Sequence, residues 1–239
     1  MIDFSFLSPV QDRLVDQIEL LHCQAIGKKL VIHTSKNIPE LKGIKIAIVG
    51  VLESRNSVDY IGEEFQIIEV RKAFYKLFPG NWLHPMADLG DIQRGNTVED
   101  TYFALSQVVS SLVNANIVPV IIGGSQDLTY ANYRAYDKIS SMVNIVNIDK
   151  SFDLGDSSKP INNGSYLGKI ILEKPYNLFN YTAIGFQTYF NSQEEIDLME
   201  KLYFESYRLG DISQSIGLVE PLLRDADIVT LDLNSVKSS

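Results

Sequence analysis

Three segments of the chain consist of apolar residues that are followed by glycine or acidic residues at their carboxyl ends. These segments cover residues 117–127, 143–153 and 227–234. Runs rich in Val and Ile, with polar residues only at the end, are typical of buried parallel strands. Ligands of open parallel sheets bind outside the carboxyl ends of the strands. The pattern therefore predicts that three strands bring acidic side chains to one crevice.

The rest of the hydrophobic pattern predicts alternating strands and helices. Helical spacing predicts helices over residues 9–29 and 63–78 with a strand at 45–53 between them, and Thr97 begins a third helix with a capping box. From residue 117 onward, the predicted strands are 117–123, 142–149, 181–187, 203–207 and 227–233, and the predicted helices are 128–139, 193–202 and 212–224. This alternation indicates an α/β fold with a parallel, doubly wound sheet. Residues 155–175 are predicted to form a long functional loop.

The composition limits the class of protein. The 239 residues are 45% hydrophobic and 21% charged, which predicts a single domain over residues 1–239. A formal net charge of -9 argues against a nucleic-acid partner, because phosphate binding needs clustered Lys and Arg. No run approaches the roughly 18 apolar residues of a membrane helix, so we expect a cytoplasmic protein without a membrane partner.

Two further expectations concern single features. Cys23, the one cysteine, excludes an intrachain disulfide and is predicted to be buried in the first helix. The last predicted strand, residues 227–233, is not followed by a helix that could cover it. We therefore expect the domain to be truncated at its C-terminus relative to the natural protein.

The three strand-end segments resemble the motifs of the ureohydrolase family, which includes arginase, agmatinase and formimidoylglutamase. The family strands end in Gly-Gly-Asp-His-Ser, Asp-Ala-His-x-Asp and Asp-x-Asp-x-x-Asp-Pro, where this chain has Gly-Gly-Ser-Gln-Asp, Asp-Lys-Ser-Phe-Asp and Asp-Leu-Asn. Residues 69–73 and 87–91 resemble two further family segments. The resemblance implies a three-layer α/β/α sandwich around a mostly parallel, doubly wound sheet, as in arginase. It also implies two manganese ions whose bridging hydroxide attacks a guanidinium or amidine carbon.

Half of the six metal ligands that the resemblance implies are replaced in this chain. The retained ligands are Asp149, Asp153 and Asp232, and the replaced positions are Gln126, Ser151 and Asn234. The resemblance assigns all three retained aspartates to one metal ion. We therefore expect a weak single metal site at most and no binuclear centre. The cofactor prediction is none, with one Mn²⁺ or Mg²⁺ ion as the alternative.

Lys150 lies between two of the retained aspartates in the sequence. Its ammonium group could replace a missing metal ion and neutralise the carboxylates. Alternatively it faces solvent, because neighbouring residues of a strand point to opposite sides.

Two functional hypotheses follow. In the first, the chain is a ureohydrolase-fold protein that has lost the binuclear manganese centre and is a non-catalytic binding or regulatory member. In the second, it is a divergent C–N hydrolase that acts on a linear amidine or guanidino compound, of the formimidoylglutamase or agmatinase type. Both hypotheses place a small-molecule ligand at the vestigial site of Gln126, Ser151 and Asn234, and both leave a homo-oligomer open.

Overall fold

The computed structural model describes residues 3–58, 67–81, 84–139, 142–156 and 158–236. The chain divides into two compact units. Unit 1 is Met1–Arg55 with Tyr60–Ser125, and unit 2 is Asn56–Asp59 with Gln126–Ser239. Each unit contains a four-stranded parallel sheet within the described ranges. The predicted α/β class with parallel strands is therefore confirmed, whereas the single domain over residues 1–239 stays a prediction.

Unit 1 contains the N-terminal elements. Its helices are α1 (Asp12–Ile18), α2 (Ile67–Tyr75) and α3 (Val98–Asn114). Its strands are β1 (Val31–Ile32), β2 (Ile46–Val51), β3 (Met86–Ile92) and β4 (Val118–Ile122). The strands pair in the order β1-β3-β2-β4, and every pair is parallel.

The start of α3 shows how local sequence determines an element. The Thr97 hydroxyl accepts a hydrogen bond from the Asp100 backbone N–H (3.2 Å), and the Asp100 carboxylate accepts one from the Thr97 N–H (2.8 Å). This is the predicted capping box, which pairs backbone N–H groups that the first helical turn leaves unsatisfied.

The N-terminal helix is shorter than the sequence pattern predicts. It ends at Ile18, and the Ile26 N–H donates to the Leu77 carbonyl (2.8 Å) instead of continuing a helix. Cys23 lies in the intervening turn and is exposed, so its predicted burial in a helix was wrong. The second predicted helix is confirmed over Ile67–Tyr75, and residues 63–66 of that prediction lie outside the described residues.

A buried ion network connects α2 to β3 in unit 1. The Arg71 guanidinium donates to both carboxylate oxygens of Asp88 (2.8 and 3.0 Å) and to Asp91 (2.6 Å). The Tyr75 hydroxyl donates to Asp88 as well (2.8 Å). Arg71 and Asp88 are at most 3% exposed, so the carboxylates depend on this cation for compensation.

Unit 2 contains the C-terminal elements. Its helices are α4 (Leu128–Arg134), α5 (Tyr166–Leu172), α6 (Gln193–Lys201), α7 (Leu209–Gln214) and α8 (Val219–Arg224). Its strands are β5 (Val143–Ile148), β6 (Leu178–Phe186), β7 (Glu205–Arg208) and β8 (Ile228–Leu231). They pair in the order β7-β6-β5-β8, again with every pair parallel.

Helices cover both faces of the sheet in unit 2. On β5, Ile145 belongs to a core cluster that includes Leu167 of α5, whereas the next residue, Val146, belongs to a cluster with Ile212 of α7. Successive residues of a strand point to opposite faces. Burial on both sides thus explains why β5 has apolar residues on both of its faces.

The predicted loop over residues 155–175 contains a helix that the sequence analysis missed. This helix, α5, buries Leu167 and Ile170 against the core of unit 2. The turn-forming residues that precede it dominated the prediction, although this apolar pair has helical spacing. None of the helices in the described ranges is long and apolar enough to cross a membrane.

Candidate functional site

The carboxyl ends of two neighbouring strands in unit 2 bring acidic residues together. Asp149 directly follows β5 and Asp232 directly follows β8, and the last residues of these strands, Ile148 and Leu231, are paired in register. The Asp232 N–H extends this pairing by donating to the Ile148 carbonyl (3.2 Å). Parallel strands end at the same edge of a sheet, which is where the sequence predicted the crevice.

Asp149 and Asp153 each have one carboxylate oxygen that is held and one that is unpaired. The Asp149 Oδ1 atom accepts hydrogen bonds from the Lys150 N–H and from the Ser235 hydroxyl (2.9 Å). The Asp153 Oδ1 atom accepts one from the Ser151 hydroxyl (2.8 Å). Both Oδ2 atoms are buried and have no hydrogen-bond partner in the described part of the chain. Buried polar atoms are nearly always paired, so these two oxygens require a cation or a proton shared between the two carboxyl groups, whose contact also raises the pKa of Asp153.

The backbone at Asp153 fits this arrangement. Its φ angle is 55°, which lies in the left-handed region that aspartate and asparagine tolerate better than most residues. The Leu167 N–H at the start of α5 donates to the Asp153 carbonyl (3.2 Å). Asp153 is therefore positioned by the turn after β5 and by α5 together.

Asp232 and Asn234 form a local turn at the end of β8. The Asp232 Oδ1 atom accepts a hydrogen bond from the Asn234 backbone N–H (2.7 Å). Asn234 thus contacts the aspartate through its main chain, and the residue is exposed. The sequence analysis placed Asn234 in the vestigial ligand site, and the structure shows that its N–H group stabilises the turn after β8.

Gln126 precedes α4 and reaches the interior of unit 2. Its amide nitrogen donates to the Thr230 hydroxyl (2.6 Å) and to the Asn147 side-chain oxygen (3.3 Å). These partners lie two residues before Asp149 and Asp232 on β5 and β8, so they share the face of the aspartates. The structure therefore brings Gln126 together with the predicted acidic residues.

Burial and repulsion between carboxylates dominate the electrostatics of the cluster. Burial, followed by the neighbouring Asp149 carboxylate, raises the pKa of Asp153 well above its usual value. Burial also raises the pKa of Asp232, against the effect of its hydrogen bond from Asn234. The Lys150 ammonium lies 4.8 Å from the centre of the Phe190 ring, a cation–π contact, while its charge acts on Asp232.

Sequence reasoning missed several polar residues of this cluster. Asn147 and Thr230 interrupt apolar strands two positions before an aspartate, and this spacing of two was a signal that could have identified them. Tyr166 and Tyr181 are completely buried, and their hydroxyls have no hydrogen-bond partner among the described residues. No feature of the sequence pattern distinguishes these two tyrosines from ordinary core residues.

The donor set fits one hard divalent cation. Two unpaired carboxylate oxygens, with hydroxyl and amide oxygens near them, are the type of ligand that Mg²⁺ and Mn²⁺ prefer. The Asn147 amide nitrogen is also buried and unpaired among the described residues, and it cannot coordinate a cation. Within the described ranges, no three His, Cys, Asp or Glu side chains are placed to hold a metal ion together. An ion here would take two carboxylates and neutral oxygens. The set does not fit a second ion, because Ser151 is bonded to Asp153 and Asn234 contributes its N–H group.

Comparisons with known proteins identify the family. Residues 44–234 match the family model described as the arginase family. The formimidoylglutamase of Hahella chejuensis is 30% identical over 148 residues, which are 56% of this chain and 44% of that protein. The formimidoylglutamase of Streptococcus gordonii is 26% identical over 217 residues, which are 83% of this chain and 65% of that protein. The chain belongs to the arginase family, as its motifs predicted.

Solved structures share the fold. The formiminoglutamase of Trypanosoma cruzi with Mn²⁺ is similar with a TM-score of 0.73 and 18% identity, over 84% of this chain and 74% of that one. The agmatine ureohydrolase of Thermoplasma volcanium is similar with a TM-score of 0.64 and 18% identity, over 90% of this chain and 72% of that one. The predicted arginase-like fold is confirmed. The chain spans about half the length of the curated relatives that it matches, from 44% to 65% in three of them.

Proposed function

We propose that this chain is a divergent C–N hydrolase of the formimidoylglutamase type, which acts on a linear amidine. One observation carries the proposal, namely the buried pair of Asp149 and Asp153, each with an unpaired carboxylate oxygen. Two buried carboxylates can hold one divalent cation, which would supply the positive charge that hydrolysis of an amidine needs. The formimidoylglutamases among the relatives favour this substrate class over guanidino compounds.

The residues of the site have distinct roles in this proposal. Asp149 and Asp153 would hold one Mn²⁺ or Mg²⁺ ion, with Asp232 at the margin of the site. When bound, the ion supplies positive charge that makes hydroxide available near neutral pH. The hydroxyls of Ser151 and Ser235 fix the Oδ1 atoms, which leaves the Oδ2 atoms available to the ion.

The reaction is a hydrolysis in which atoms balance without a further reactant. The oxygen of water forms a bond to the amidine carbon, the bond from that carbon to the substituted nitrogen breaks, and a proton from water moves to the departing nitrogen. N-formimidoyl-L-glutamate would give formamide and glutamate. The half-buried Gln126 side chain, already bonded to Thr230, borders the site on the side of α4.

A non-catalytic binding role is the second candidate. Gln126, Ser151 and Asn234 are neutral where the family resemblance implies charged or imidazole ligands. A weakly held single ion activates water less than two ions do. Such a site could bind an amidine without hydrolysing it.

Formamide release distinguishes the two candidates. The purified chain is incubated with N-formimidoyl-L-glutamate in Mn²⁺ and in EDTA, beside the variants Asp149→Asn and Asp197→Asn. Asp197 is exposed on α6, so its variant is a matched control for the loss of one negative charge. Mn²⁺-dependent release that Asp149→Asn abolishes and Asp197→Asn retains supports the hydrolase. Binding of the compound without release supports the second candidate, and neither binding nor release refutes both.

A further inference from the structure

Two buried tyrosines of unit 2, Tyr166 and Tyr181, differ from the other buried tyrosines in the hydrogen bonding of their hydroxyl groups. Four described tyrosines are less than 2% exposed: Tyr75, Tyr133, Tyr166 and Tyr181. The Tyr75 hydroxyl donates to Asp88, and the Tyr133 hydroxyl accepts a hydrogen bond from the Asn177 N–H (2.9 Å). The hydroxyls of Tyr75 and Tyr133 thus each have a hydrogen-bond partner. The other two hydroxyls are unpaired within the described residues.

Both unpaired hydroxyls lie beside the acidic cluster. Tyr181 is on β6 in register with Ile145 of β5, and Tyr166 is the first residue of α5, next to the Leu167 N–H that binds the Asp153 carbonyl. Burial and then its neighbours Tyr181 and Asp153 raise the pKa of Tyr166, and burial and then Asp153 raise that of Tyr181. The two hydroxyls are neighbours, and the Asn147 amide lies close to the Tyr181 hydroxyl as well, but none of these contacts has the geometry of a full hydrogen bond.

We infer that Tyr166 and Tyr181 contact the amidine ligand, an assignment that rests on the proposed function. The two hydroxyl oxygens lie beside the carboxylates of Asp149 and Asp153, whose Oδ2 atoms the proposed function assigns to the metal ion. Each hydroxyl can accept a hydrogen bond, and an amidinium group offers several N–H donors in one plane. A metal ion held by the carboxylates leaves the two hydroxyl oxygens available to accept hydrogen bonds from the amidinium group. The tyrosines therefore form the least exposed wall of the ligand site.

Phenylalanine variants test this assignment in the whole chain. Binding of formamidinium and, separately, of Mn²⁺ is measured by calorimetry for Tyr166→Phe and Tyr181→Phe, with Tyr133→Phe as the matched buried control. We expect each site variant to bind formamidinium about threefold to tenfold more weakly, since one hydrogen bond is lost. Mn²⁺ binding should be unchanged. The control should bind both probes as the native chain does.

Thermal stability without ligand is the second readout. Tyr133→Phe should lower the Tm because it removes the hydrogen bond from the Asn177 N–H to the Tyr133 hydroxyl, which leaves that N–H only its longer bond to the Pro175 carbonyl (3.1 Å). The two site variants remove a hydroxyl that has no hydrogen bond among the described residues and should not lower the Tm. A loss of stability in the site variants equal to that of Tyr133→Phe would show internal partners and overturn the assignment. Unchanged formamidinium affinity would overturn it too, as would a native chain that binds Mn²⁺ but not formamidinium.

The assignment and the proposed function can fail separately. Tyrosine-dependent binding of formamidinium without formamide release would leave the assignment standing and refute the hydrolase. Mn²⁺-dependent formamide release that neither tyrosine variant changes would support the hydrolase and refute the tyrosine assignment. A native chain that neither binds formamidinium nor releases formamide refutes both.

Discussion

Replacing Asp153 by asparagine should stabilise the protein in the absence of metal. The substitution keeps the shape of the side chain and the oxygen that accepts from Ser151. Asparagine also tolerates the left-handed φ angle of 55° at this position. What changes is the charge, because the variant no longer places a second buried carboxylate next to Asp149.

The magnitude follows from the unpaired oxygens. A buried polar atom without a partner costs about 1–3 kcal/mol, and the Oδ2 atoms of Asp149 and Asp153 are two such atoms. The new amide group removes one and can donate to the other. We expect a gain of about 2 kcal/mol in the free energy of unfolding. For a chain of this size, that corresponds to a rise of about 4–8 °C in Tm.

Thermal unfolding followed by circular dichroism measures the effect, first in EDTA and then in Mn²⁺. In EDTA the variant should melt above the native chain. Excess Mn²⁺ should raise the Tm of the native chain only, because an ion that binds the folded state stabilises it, by about 2.7 kcal/mol at 100 times its Kd. A lower Tm of Asp153→Asn in EDTA would refute the reasoning, since the native charge would then be compensated. The exposed control Asp197→Asn should leave the Tm unchanged in both conditions.

Two predictions concern unit 1. Arg71→Met should cost about 3–5 kcal/mol at neutral pH, measured by urea unfolding, because it leaves two buried carboxylates without their cation. Burial already raises the pKa of Asp91 above its value in the unfolded chain, so the folded state binds a proton at a higher pH than the unfolded state does. The stability loss of Arg71→Met should therefore shrink as the pH falls. A loss that does not depend on pH contradicts this prediction. Gly90→Ala should cost more than Gly43→Ala in the same assay, by about 1–3 kcal/mol. Both glycines have a positive φ angle, but only at Gly90 would the added Cβ atom clash with the Ser8 carbonyl. Equal stability losses for the two alanine variants would show that the segment containing Ser8 can move away from Gly90.

The sequence predicts the strands of the candidate site better than its inner wall. β5 and β8 are recognisable because they are apolar runs with an aspartate at the end, and parallel pairing then brings Asp149 and Asp232 to one edge. Tyr181 could not be assigned, because its surroundings come from residues distant in the sequence. α5 was missed since the turn residues before it conceal a short apolar face. The ion network of Arg71 depends on a contact between α2 and β3 that periodicity does not encode.

β8 pairs only with β5 within the described residues, and its Val229 and Leu231 side chains are 51% and 47% exposed. A strand with one neighbour and a partly uncovered face opens locally at low free energy, so its amide hydrogens should exchange with solvent faster than those of β5. Asp232 follows this strand, whereas Asp149 follows the doubly paired β5. The acidic edge thus combines one carboxylate on a slowly exchanging backbone with one on a rapidly exchanging backbone, and a ligand that bridges both should slow amide exchange along β8 most of all.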